Sequence, residues 1–143
     1  MARCYFEKQK CRLGGRIMRE KKAEQRLTTI RVTTTLKRME ELILEESGLS
    51  KAAFHRRAID AFVKNNGVVD AQLKIKAKTD PRYVKKPERE LVYLDEERKQ
   101  LLERIALREN TGITIVLYQA IMDYCIEMKK ILPEDKLNEI LEE

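Results

Sequence analysis

The stretch TTIRVTTTLKRM, residues 28–39, decides the fold. Seven of the eight residues from Thr28 to Thr35 are β-branched, a composition that belongs on a strand. Most of the remaining chain carries helical periodicity or dense charge. A lone strand cannot satisfy its own backbone hydrogen bonds, so it needs a partner.

Immediately downstream, Leu36, Met39, Leu42 and Ile43 recur at the spacing of an amphipathic helix. Thr33 is placed to cap its start, and Gly48 to end it in the left-handed conformation. Ser50 then caps a second helix, KAAFHRRAIDAFVKN, whose apolar face is Phe54, Ala58, Ile59, Phe62 and Val63. The order is strand, helix, glycine turn, helix.

A shift of 62 residues repeats the plan without a gap. Ile30 and Val32 meet Val92 and Leu94, and Thr33 meets Asp95, again a capping residue. Met39 and Ile43 meet Leu101 and Ile105, while Gly48 meets Asn110, the next best left-handed residue. Ala58, Ile59 and Phe62 meet Ala120, Ile121 and Tyr124. Agreement at apolar and capping positions, with little identity between them, is the residue of an internal duplication. Gly112 stands two positions beyond the expected turn glycine, which allows a longer second turn.

The repeat supplies the partner: strand 28–33 pairs with strand 90–95. Alternation puts Thr28, Ile30, Val32 and Glu90, Val92, Leu94 toward four helices. It leaves Leu27, Thr29, Arg31 and Arg89, Leu91, Tyr93 on a face that no helix covers. The expected fold is mainly α with a short two-stranded antiparallel β-ribbon. Such a ribbon fits the major groove of DNA.

The charge is placed to match. The net charge is +6 with a pI near 9.2. Residues 1–26 and the segment KIKAKTDPRYVKKP are basic, whereas the last third is acidic. A basic arm points to a polyanion, most simply nucleic acid. No apolar run is long enough to cross a membrane and residues 1–16 lack a signal-peptide core, so a cytoplasmic protein is expected.

Little in the chain points to catalysis or metal. Cys4 and Cys11 are too widely spaced for a zinc knuckle, and Cys125 lies in an apolar helix as a small buried side chain. The only histidine, His55, adjoins Arg56 and Arg57 and is expected on the solvated surface. No phosphate-cradling glycine loop and no nucleophile or acid–base constellation is present, which argues against an enzyme and against a cofactor.

The segment RLTTIRVTTTLKRMEELILEESGLSKAAFHRRAIDAF, above all GLSKAAFHRRAIDAF, resembles the ribbon-helix-helix family of the Met repressor, Arc and CopG type. The resemblance implies two fused copies forming an intramolecular pseudo-dimer: a basic arm at 1–26, a first repeat at 27–66, a basic linker at 67–88, a second repeat at 89–132 and an acidic tail at 133–143. It implies a sequence-specific protein that inserts its ribbon into double-stranded DNA, as a transcriptional repressor or regulator. Base contacts would fall to Thr29 and Arg31, with Arg89 and Tyr93 from the second strand. Ser50 and Lys51, at a helix N-terminus, would hold phosphate. Lys8, Lys10, Arg12 and Arg16 of the arm would follow the backbone.

Other readings stay open. The same resemblance suits an accessory protein of a plasmid transfer (relaxosome) or partition complex, seated beside a second copy or a larger machine. A helix-turn-helix accommodates EESGLSKAAF, but the upstream strand and its echo disfavour it. A protein-interaction module such as an antitoxin is the third. The tail PEDKLNEILEE reads as an amphipathic helix that either packs on its own core or receives a partner.

Overall fold

The computed structural model describes residues 26–141. Strand β1 (Arg26–Val32) leads to helices α1 (Thr34–Ser47) and α2 (Lys51–Lys64). A linker with one 3-10 turn (Ala71–Lys74) precedes strand β2 (Glu88–Leu94), helix α3 (Glu96–Glu109) and helix α4 (Ile113–Met128). A second 3-10 turn (Lys129–Ile131) and a short helix α5 (Glu134–Leu141) follow. The molecule is mainly helical with one two-stranded antiparallel sheet.

The elements start in step: residues 26 and 88, 34 and 96, 51 and 113 each differ by 62. The pairing runs from Arg26 opposite Leu94 to Val32 opposite Glu88. Each strand starts two residues earlier and ends one residue earlier than the expected 28–33 and 90–95, and Thr33 and Asp95 serve as caps. At the ribbon's centre Thr29 faces Leu91, its own counterpart under the 62-residue shift.

Local chemistry explains the boundaries. Thr33 Oγ1 accepts from the Leu36 amide at 3.0 Å, and Asp95 Oδ1 from Arg98 at 2.8 Å. Ser50 Oγ accepts from Ala53 at 3.1 Å. These bonds satisfy donors that the first helical turn leaves orphaned. Gly48 (φ 75°) and Asn110 (φ 57°) both adopt the left-handed conformation that ends α1 and α3. Gly112 takes the place of Ser50 rather than of Gly48, so the second turn is no longer than the first. It offers no side chain to cap α4.

Ile30, Val32, Val92 and Leu94 bury the inner ribbon face on the helices. Helix α4 is the central element, with Val116 through Ile121 all buried. A run buried through more than one full helical turn needs neighbours on every side. Cys125 completes this core, as its apolar surroundings in the sequence indicate. The linker is no free tether: Val69 and Leu73 enter the core, and Asp70 donates its amide to Gln119 Oε1 at 2.8 Å. In α5, Leu137 packs on the core and Lys136 pairs with Glu46 at 3.2 Å. No helix among the described residues is long and apolar enough to cross a membrane.

One expectation fails. His55 is buried, 2% exposed, instead of solvated. Its neighbours Arg56 and Arg57 do point outward, but helical geometry turns His55 onto the stripe of Ala58, Ile59 and Phe62. Glu40 of α1 and Glu90 of β2 meet it there and make its burial tolerable.

Candidate nucleic-acid interface

The outer face of the ribbon brings together every base-contact candidate. Thr29, Arg31, Arg89 and Tyr93 are all exposed, together with Leu27 and Leu91. Tyr93 and Leu27 stand opposite each other at 57% and 51% exposure, so the apolar end is open to solvent. Arg31 and Arg89 are also direct cross-strand partners. Like charges in that position repel, and an anion placed between them relieves the repulsion. The Arg31 guanidinium donates to the Pro87 carbonyl at 3.1 Å, which fixes it near the end of the ribbon.

The helix starts flank this face. Ser50 and Lys51 open α2, and Lys51 Nζ lies 3.3 Å from Glu90 Oε1, directly beneath the second strand. A cavity of about 450 Å³ there is lined by Lys37, Lys51, His55, Arg89, Leu91 and Tyr93, among others. It places Lys51 on the same opening as two base-contact candidates. Lys37 donates to the Arg89 carbonyl at 2.8 Å and thereby holds its ammonium at the strand edge. Free N–H groups and partial positive charge at a helix N-terminus favour an anion next to such cations.

On the opposite side, a cavity of about 330 Å³ lies between β1, the linker and the start of α4. Thr29 and Arg31 line it with Lys74, Lys76, Lys86 and Thr114. The second repeat has no lysine beside its cap, and the linker puts three there. Sequence reading missed Lys37 and these linker lysines as site residues. The charge run of KIKAK was the available signal, but only the packing of Leu73 turns it toward the ribbon. Lys8, Lys10, Arg12 and Arg16 lie outside the described residues.

Behind the ribbon sits the ionisable cluster. His55 Nε2 is 2.8 Å from Glu40 Oε2 and 3.0 Å from Glu90 Oε2. Burial pushes the Glu40 carboxyl up to about 7, helped by its hydrogen bond to Glu90. Burial also pulls Glu90 upward, but hydrogen bonds with His55 and Glu40 and the Lys51 charge outweigh it and hold Glu90 at about 2. Burial disfavours the His55 imidazolium, yet the two carboxylates outweigh it and raise its pKa. The same burial, with the Glu40 and Glu90 charges, drives the Cys125 thiol far up, so it stays protonated and unreactive. The cluster was partly legible: Glu90 falls on the inward register, and Glu40 lies between Leu36 and Ile43 on the buried stripe of α1.

Comparison of the chain with protein-family models, curated proteins and solved structures gives no match.

Proposed function

We propose that this chain is a sequence-specific double-stranded DNA-binding protein of the ribbon-helix-helix kind, a transcriptional regulator whose two halves form an intramolecular pseudo-dimer. The observation that carries the reading is the strand register. It leaves three outward side chains from each strand on one uncovered face, with an arginine pair at one end. A two-stranded ribbon fits the major groove, where Arg pairs with guanine and Thr with several base edges. Lys51 at the start of α2 on one side, and the linker lysines on the other, line the cavities beside the ribbon, which supports phosphate contacts on both flanks.

Thr29 facing Leu91 supports the pseudo-dimer. Two identical strands related by a twofold axis also pair one residue with its own counterpart. The two halves of the face nevertheless differ, since Arg31 is the counterpart of Tyr93 and Leu27 of Arg89. The reading therefore includes a target that is not palindromic. Repression and service in a transfer or partition complex use the same surface, and the genomic position of the target separates them.

Selection from random duplex DNA, followed by binding across a salt series, tests the proposal. A defined motif should emerge, bound far more tightly than random duplex. Arg31→Ala should cost about 1–3 kcal/mol at one base position of that motif. Tyr93→Ala should act at a different and non-mirrored position. Salt-dependent binding with no motif, or no binding at all, would overturn sequence-specific reading.

A further inference from the structure

We propose that Glu40, His55 and Glu90 form a binding site for one divalent first-row transition ion of the Zn²⁺ class. The inference goes beyond DNA recognition and stands whether or not the ribbon reads DNA.

The geometry is the starting point. Two carboxylate oxygens approach one nitrogen, His55 Nε2, at 2.8 and 3.0 Å. That nitrogen carries at most one hydrogen, and an ionised carboxylate carries none. At most two hydrogens, one on the imidazole and one shared between Glu40 and Glu90, separate the three donors, and a dication that displaces them meets all three converging on one point. The three donor atoms lie within 4.8 Å of one another, and each side chain is at most 2% exposed. A dication on that point would satisfy all three donors at once.

The donor set fits the ion class. One imidazole nitrogen and two carboxylate oxygens are borderline-to-hard ligands, suited to Zn²⁺, Co²⁺ and their neighbours. Ligands at ~2.1 Å from a tetrahedral ion stand ~3.4 Å apart. The side chains therefore need to separate by about half an ångström from their present hydrogen-bonded spacing. Three protein ligands leave a fourth position for water. The 450 Å³ cavity beside the ribbon reaches both His55 and Glu90 and provides access and that water. Lys51 Nζ bonds the other oxygen of Glu90, Oε1, and so orients the carboxylate with Oε2 toward the histidine.

The ligands also come from three elements: α1, α2 and β2. An ion here would tie the two strand–helix units together at one point. Binding to the folded chain alone would raise its melting temperature.

The test uses tag-free, full-length protein stripped with a chelator. Titration with Co²⁺ should give visible d–d absorption saturating at one ion per chain, and Zn²⁺ should displace it. His55 is the only histidine, so its imidazole nitrogens give one resolvable pair of NMR signals. Stoichiometric Zn²⁺ should shift Nε2 strongly while Nδ1 keeps its hydrogen. Glu40→Gln, which preserves shape, should weaken affinity at least about tenfold. A Cys4→Ser, Cys11→Ser double variant should bind as tightly as the parent. Unmoved histidine signals at stoichiometric Zn²⁺ would overturn the site without recourse to any variant. So would binding that survives Glu40→Gln but disappears with the two cysteines.

Discussion

At the scale of the residue, the buried cluster governs how stability responds to pH. In metal-free protein Glu40 keeps its proton in the fold up to about pH 7, whereas the unfolded chain releases it near 4.5. Stability therefore falls as pH rises through that window. The raised His55 pKa acts in the same sense: its contribution is complete below 6.5 and is lost as pH passes the folded value. Glu90 acts oppositely, contributing fully above 4.5 and losing that contribution as pH falls toward about 2. The cluster is thus most favourable in mildly acidic solution. Gln at position 40 resembles the protonated carboxyl, so Glu40→Gln should flatten the decline between pH 5 and 7. The parent should lose on the order of 1 kcal/mol per pH unit there. Thermal unfolding in chelating buffers measures both slopes, and equal slopes would rule out Glu40 as the source. This cluster also marks where sequence reading stopped. His55 sits 15 residues from Glu40 and 35 from Glu90, and adjacent arginines gave it the look of a solvated face. Its place on the Ala58–Ile59–Phe62 stripe argued the other way, but burying a histidine is tolerable only with partners that no local pattern reveals.

At the scale of the element, boundaries were legible because their causes are local. Thr33, Ser50 and Asp95 cap their helices through bonds spanning three residues, and Gly48 and Asn110 end theirs through their own backbone angles. The linker was illegible for the opposite reason: its position depends on Val69 and Leu73 meeting distant helices. Gly67 shows how tightly that junction is made. Its amide donates to the Phe62 carbonyl at 2.9 Å, closing α2 after left-handed Asn66. A Cβ at Gly67 would overlap the Phe62 ring, which is itself part of the core. Gly48 offers a contrast, with open space around the same added atom but a left-handed backbone. Gly48→Ala should cost about 1 kcal/mol from backbone strain alone. Gly67→Ala should cost about 1–3 kcal/mol because a packed ring must move. Denaturant titration of the two variants ranks them, and a Gly48 variant less stable than the Gly67 variant would contradict this account of the junction.

At the scale of the whole molecule, one chain carries both strands and the helices that cover them. A ribbon needs two strands and its inner face needs four helices, and one chain contains both sets. The 62-residue step between corresponding elements was readable from the sequence because capping and apolar positions keep the same step. What it left unread was the asymmetry between the halves. Helix α4 buries every residue from Val116 to Ile121, whereas α2 keeps Arg56, Arg57 and Asp60 in solvent. The linker occupies one flank of the ribbon and leaves the other to Lys37 and Lys51. A core completed within one chain has a thermodynamic signature that a core shared by two chains does not. When two chains must meet to complete a core, unfolding releases two molecules and the melting temperature rises with concentration. Here Ile30 and Val32 are covered by helices of the same chain, α4 foremost, and β1 finds β2 without a second molecule. The melting temperature should therefore be the same at about 1 μM and about 100 μM, where an obligate two-chain core would shift by several degrees. Calorimetry or circular dichroism at the two concentrations makes the measurement. A clear rise with concentration would mean that the ribbon completes its core between molecules, and the intramolecular pseudo-dimer would have to be abandoned.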